Sequence, residues 1–231
     1  MGHLCVSLWG NGDASVAWMI ARRDLMAAGL AVTSLPALAL PVPSQNRIGF
    51  RLLRQGEVIG SHTLSFSSSG TTLQVSVAID ILVKLAFVPV YRYRHRATET
   101  WTGDRFDGIE SQTDRDGSPQ SMRAVRTAQG IVVEGSKTAR YTVTDPVYAT
   151  TYWNQAMLQR HVINSEDGRL FNVAPSRLAE EQVPVAAGGT IAARHWKLDG
   201  ELPLDLWYDA AGQWAHLVFS KDGSTVIYEK L

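Results

Sequence analysis

The sequence predicts an all-β protein: a single antiparallel sheet of about a dozen strands, spirally rolled or barrel-like, with one short helix. Three observations carry this expectation. From Arg47 onward apolar and polar residues alternate with a period of two, which places successive side chains on opposite faces of a strand. Turns built on Gly and Asp interrupt the alternation roughly every eight to twelve residues, the spacing of an antiparallel meander. Nowhere after Arg47 does a helical period persist over a long segment. With this many strands a rolled sheet is favoured over a flat one, because closure protects the edge N–H and C=O groups.

The elements follow in order along the chain. Arg47 to Arg54 and Glu57 to Ser67 flank Gln55-Gly56, a hairpin signal. Thr71 to Leu82 follows Ser68-Ser69-Gly70. Val90 to Thr102 ends at Gly103-Asp104, and Arg105 to Arg115 ends at Asp116-Gly117-Ser118-Pro119. Further strands are expected at Ser121 to Thr127, Ile131 to Glu134 and Ala139 to Val143. The stretch from Pro146 to Gln159 breaks the pattern, and Thr150 or Thr151 there could cap the short helix. Strands resume at Gly168 to Arg177, Thr190 to Leu198, Leu204 to Tyr208, Gln213 to Ser220 and Thr225 to Glu229.

The N-terminal region reads differently. Residues 19–39 have the three parts of a cleavable export signal. Arg22 and Arg23 are the positive start, Leu25 to Val32 is an apolar run, and Ala37-Leu38-Ala39 supplies the small-x-small site after Pro36. Cleavage is expected after Ala39. The run is too short for a membrane span, which needs about 20 apolar residues. The arginine pair resembles a twin-arginine leader, which exports folded proteins, although Ala21 stands where Ser or Thr is usual. That pair tips the reading toward the twin-arginine route over the general secretory one. Met19 is the natural start, so residues 1–18 are expected to be an excess upstream of it. Residues 40–46, rich in Pro, read as a disordered lead-in, and residues 47–231 as the β-roll domain.

Composition narrows the function classes. About 190 residues remain after the leader, enough for one substantial core. Acidic and basic residues balance at 22 each, which argues against nucleic-acid binding. The single cysteine, Cys5, precedes the cleavage site, so the mature domain has neither disulfide nor thiol chemistry. No G-x-S-x-G elbow, H-E-x-x-H spacing or glycine-rich phosphate loop occurs, and no cofactor or metal is expected. The expected location is the bacterial periplasm or the medium, with no span after cleavage.

Three stretches hold the candidate site residues. In Val90 to Trp101, the residues Tyr91, Tyr93, His95, Ala97, Glu99 and Trp101 share one strand face, and Arg92, Arg94 and Arg96 the other. With the aromatic face inward, Tyr93, His95, Glu99 and Trp101 could line a binding cleft, or could simply hydrogen-bond to neighbouring strands. The arginines read as a solvated outer face. Tyr152-Trp153-Asn154 could plug one end of a barrel or form a stacking lip. Asp205, Trp207 and Asp209 fall on one face, with Asp209 set to start a turn.

These motifs resemble the DUF6134 group of uncharacterised exported bacterial proteins, itself related to the DUF3108 group. The resemblance rests on Gly56-Glu57-Val58-Ile59-Gly60-Ser61-His62, Val90 to His95 with Glu99-Thr100-Trp101, Tyr152-Trp153-Asn154, and Leu204 to Asp209. It implies a spirally rolled envelope β-sheet, with no established catalytic residues. Two functions follow as expectations. The first is a non-enzymatic envelope protein that binds an apolar or amphipathic ligand inside the roll or docks an envelope protein outside it. The second is a hydrolase of envelope glycans or lipids, with Asp205, Asp209, Glu99 and His95 as acid/base groups.

Overall fold

In a computed structural model, residues 40–231 are described apart from 145, 160 and 222, and they belong to a compact unit spanning Pro36–Leu231. The leader, with Arg22, Arg23, Ala37 and Ala39, lies outside the described residues. Among the described residues, fifteen strands form one sheet. They are β1 (Arg47–Arg54), β2 (Glu57–Ser69), β3 (Thr72–Leu85), β4 (Val88–Thr102), β5 (Arg105–Arg115), β6 (Ser118–Thr127), β7 (Gly130–Gly135) and β8 (Thr138–Val143). Then come β9 (Tyr148–Ala149), β10 (His161–Ile163), β11 (Leu170–Pro184), β12 (Thr190–Gly200), β13 (Leu204–Tyr208), β14 (Trp214–Lys221) and β15 (Ser224–Lys230).

The sheet order runs from β8 down to β1, then from β15 down to β9. Consecutive strands are therefore neighbours except β8 and β9, which stand at the two ends of the order, and the first and last strands pair antiparallel at the middle of the sheet, with Leu52 opposite Tyr228. Antiparallel hairpins of this kind follow directly from short turns and period-two patterning. The exception is β9, which runs parallel to β10.

The all-β expectation holds, with local corrections. Strand β3 continues to Leu85 and β4 begins at Val88, so their turn is tighter than the pattern implied. Strand β11 reaches Pro184 rather than Arg177, and β9 and β10 fall within a stretch read as irregular. The short helix is a single 3-10 turn, Gln155–Met157, capped by the side chain of Asn154 rather than by Thr150 or Thr151. The threonine hydroxyls are engaged elsewhere in the interior. Within residues 40–46, read as a lead-in, Pro43 to Asn46 form a turn closed by Asn46 N–H on the Pro43 carbonyl at 2.9 Å. Leu40 and Val42 pack against the core, because apolar side chains gain by leaving water.

Two features cover the sheet beyond its main ladder. The chain from Val147 to Arg169, holding β9, the 3-10 turn and β10, contributes Val147, Ala149, Trp153 and Met157 to the main apolar core. Its Asn164–Arg169 turn meets the β7–β8 turn, where Lys137 N–H reaches the Asp167 carbonyl at 3.4 Å. A Cβ on Gly135 would lie 2.0 Å from that carbonyl oxygen, so only glycine permits this approach. On the outer face, the long β11–β12 hairpin folds back until Ala186 N–H bonds the Lys230 carbonyl at 2.8 Å. Beneath it Val183, Ala193, Trp207 and Ala215 make a second, small apolar cluster.

Candidate functional site

The face pattern of β4 is as the alternation implies: Tyr93, His95, Ala97, Glu99 and Trp101 are buried, while Arg92, Arg94 and Arg96 are exposed. A carboxylate on an inward face must find donors, since an unpartnered buried charge is costly. Glu99, 1% exposed, finds three. One oxygen accepts the indole N–H groups of Trp101 at 3.0 Å and Trp153 at 2.7 Å. The other accepts the Thr151 hydroxyl at 2.5 Å. Burial pushes the Glu99 carboxyl up from its ordinary value, and the bonds from Thr151, Trp153 and Trp101 offset part of that rise.

This clamp joins the sheet to the inner segment. Trp153 is fully buried and packs edge-on to Phe66 of β2 and Trp101 of β4, with centroids 5.2 and 5.4 Å away. Tyr152, half-buried and with φ of 66°, turns the chain so that its carbonyl accepts the Tyr208 hydroxyl at 2.8 Å. Asn154 bridges to Gln213 and caps the 3-10 turn. Nearby, Ser165 ties the segment to β5 through the Ser111 hydroxyl, which donates to the Ser165 carbonyl at 2.5 Å.

Farther along β4, Tyr93 donates to Glu166 at 2.9 Å, and Arg115 pairs with the same carboxylate while lying over the Tyr93 ring. His95 bonds the Thr113 hydroxyl at 2.8 Å, and burial with the Arg96 charge lowers its pKa to about 4. His62 is 1% exposed, with both ring nitrogens unpartnered among Phe50, Trp214 and Tyr228. Burial, with a smaller effect of His95, holds it down to about 3.

Asp205 and Trp207 stand apart from all of these, on the outer face beneath the β11–β12 hairpin. His195 lies between two carboxylates, 2.7 Å from Asp205 and 3.1 Å from Glu181, and stacks on Trp207 at 4.2 Å. The Trp207 indole donates to Glu181 at 3.1 Å. Asp209 starts a turn as its position implied, accepting from Ala211 and Gln213 N–H groups at 2.9 Å. The sequence-derived candidates therefore divide among an interior clamp (Glu99, Trp101, Trp153), a His/Tyr region (Tyr93, His95) and an outer cluster (Asp205, Trp207). Reading by sequence missed Thr151, Glu166, Arg115, Glu181 and His195. A signal existed for Thr151: the inward Glu99 required donors, and Thr150 to Asn154 was a donor-rich stretch with no strand assignment. Among the described residues, no three His, Cys, Asp or Glu groups are arranged to hold a metal ion. No helix among them is long and apolar enough to cross a membrane.

Comparison with known families matches residues 50–230 to a domain of unknown function, DUF6134. The chain belongs to the DUF6134 family. No curated protein matches it. Among solved structures it is similar to the crystal structure of a beta-barrel-like protein of domain of unknown function DUF1849 from Brucella abortus. The two share 13% identity at a TM-score of 0.55, over 80% of this chain and 94% of the other. At that identity the likeness concerns the fold, and it agrees with a DUF6134 chain rolling its sheet into a barrel-like form.

Proposed function

We propose that this DUF6134 protein is an exported, non-enzymatic protein of the bacterial envelope that acts through its outer surface. The observation supporting this is the Glu99 clamp. It holds the chain's own Thr151–Trp153 segment against the inner face, where a carrier of an apolar ligand would leave room for cargo. Export rests on the residues 19–39 signal, with the cut after Ala39. Hydrolysis is less well supported, because its four acid/base candidates occupy four separate settings. Glu99 is in the clamp, His95 on Thr113, Asp205 on His195 and Asp209 in a turn.

The test is to express the full chain with its leader in a bacterium, fractionate the cells and analyse the extracytoplasmic protein. N-terminal sequencing is expected to begin at Leu40, and native mass spectrometry to give the bare polypeptide or a complex with another macromolecule. A stoichiometric small apolar molecule inside the folded protein would overturn the outer-surface reading. Uncleaved chain confined to the cytoplasm would overturn export.

A further inference from the structure

The β3–β4 hairpin leaves the sheet. Strand β2 pairs with β3 only as far as Ile81, and β5 pairs with β4 only as far as Tyr93. Residues 82–92 therefore continue as a two-stranded ribbon beyond both flanking ladders, from Leu82 opposite Arg92 to Leu85 opposite Val88, with the β5–β6 turn touching its base where Asp116 N–H meets the Arg92 carbonyl at 2.7 Å. Four residues of β3, against five of β4 with Val90 bulged, at about 3.3 Å each carry the tip roughly 13 Å beyond the last flanking pair. A two-stranded ribbon in water is marginal, and a soluble domain gains nothing by making its tip apolar. Yet this tip is apolar. Phe87 is 95% exposed, Leu85 73%, Val88 64% and Val90 51%. Val58, 61% exposed, lies at the tip end of the adjacent β1–β2 hairpin.

Charge is distributed with equal asymmetry. Residues 81–98 contain Lys84, Arg92, Arg94 and Arg96 and no acidic residue. Arg96 is paired with Asp80 at 2.7 Å. Lys84, Arg92 and Arg94 are exposed and make no side-chain ion pair among the described residues. Across the neighbouring turn, Asp114 accepts from Gly117 N–H and Asp116 from Arg92 N–H, and Asp80 and Asp114 stand opposite Arg94 in the two ladders, so the uncompensated cations of the ribbon are Lys84 and Arg92.

We propose that this hairpin is a membrane-surface anchor, which dips its apolar tip into a bilayer while its cations meet anionic lipid headgroups. The pairing of a projecting apolar tip with cations at its base selects this occupant: the tip can meet acyl chains while Lys84, Arg92 and Arg94 stay at headgroup level. The reach matches the shallow burial of interfacial segments, about 5–10 Å into the headgroup and acyl boundary. The basic base of the ribbon complements a negative leaflet, where each Lys or Arg strengthens attachment. The anchor rests on the outer-surface reading above and names the surface and the partner's chemistry.

The experiment uses residues 36–231, a compact unit of their own, so the apolar leader cannot bind lipid in their place. Cosedimentation is measured with vesicles of phosphatidylcholine alone and of phosphatidylcholine mixed with phosphatidylglycerol. Binding is expected on the anionic vesicles, weaker on the neutral ones and reduced by salt. Phe87→Asp is expected to lower it about tenfold or more, with an unchanged near-ultraviolet spectrum, since Phe87 is 95% exposed. Arg92→Glu with Arg94→Glu is expected to remove the preference for anionic lipid. Equal binding by Phe87→Asp and the parent, no binding to anionic vesicles, or cross-linking of the tip to a protein without vesicle binding would each overturn the anchor. No vesicle outcome bears on interior cargo, so failure here is distinguishable from failure of the outer-surface reading.

Discussion

Replacing Glu99 by Leu removes the acceptor that serves two indoles and a hydroxyl, and it measures what the clamp contributes. The donors left behind are Trp101 Nε1, Trp153 Nε1 and Thr151 Oγ1, in a region closed to water. A buried donor without a partner costs about 1–3 kcal/mol, so two to three of them give roughly 3–6 kcal/mol, less whatever is regained by no longer burying a carboxyl group. Against a usual total of about 5–15 kcal/mol the loss is large, and for a domain of this size it lowers Tm by about 10 °C or more. Glu99→Gln keeps one acceptor oxygen for the indoles and resembles the protonated acid, so its loss is about 1–2 kcal/mol near neutrality. Because burial holds the folded carboxyl above its unfolded value, its contribution is full in acid and declines as pH rises through the folded value. The parent should therefore gain on the Gln variant as pH falls. Urea unfolding followed by tryptophan fluorescence, at two pH values, reads all of this. A Leu variant within about half a kcal/mol of the parent would refute the clamp, because that is the scatter of an ordinary surface substitution.

Two further outcomes follow from the same interior and from the outer cluster. His62, held at about 3 against 6.5 unfolded, is neutral in the fold and takes a proton only on unfolding. Its effect on stability is therefore absent above 6.5 and becomes an increasing loss below it, worth about 2 kcal/mol by pH 5. His62→Phe should remove that portion of the acid sensitivity in urea titrations, and an unchanged pH slope would dismiss it. At the outer face, Glu181→Gln weakens the bonds from His195 and Trp207 that hold down the β11–β12 hairpin. Amide exchange across residues 180–194 should quicken while the β4 amides stay protected; uniform exchange would mean the hairpin is not a separately opening unit.

Local pattern determined a good deal by itself. Period-two alternation put Tyr93, His95, Glu99 and Trp101 on the inward face of β4 and the arginines outward, because a strand admits no other placement of successive side chains. Turn chemistry set most hairpins, and Asp209 was legible as a turn starter. The same local signals assigned the family motifs and the all-β class. What lay beyond them depended on pairing across distance. Glu99 meets Thr151 and Trp153 across more than fifty residues of chain, and Tyr93 meets Glu166 across more than seventy. Neither pairing leaves a periodic trace, since those partners sit in short, irregular segments. The fold-back of β11–β12 was equally hidden, because Leu178 to Pro184 has too little alternation to show as strand, and contacts with His195, Trp207 and Lys230 hold it in place. The ribbon at Phe87 was hidden for another reason: residues 83–89 fell between two expected strands, and the ending of both flanking ladders is what leaves Leu85, Phe87 and Val88 exposed among the described residues. Residue type and spacing decide which way a side chain points; tertiary structure alone decides what, if anything, it points at.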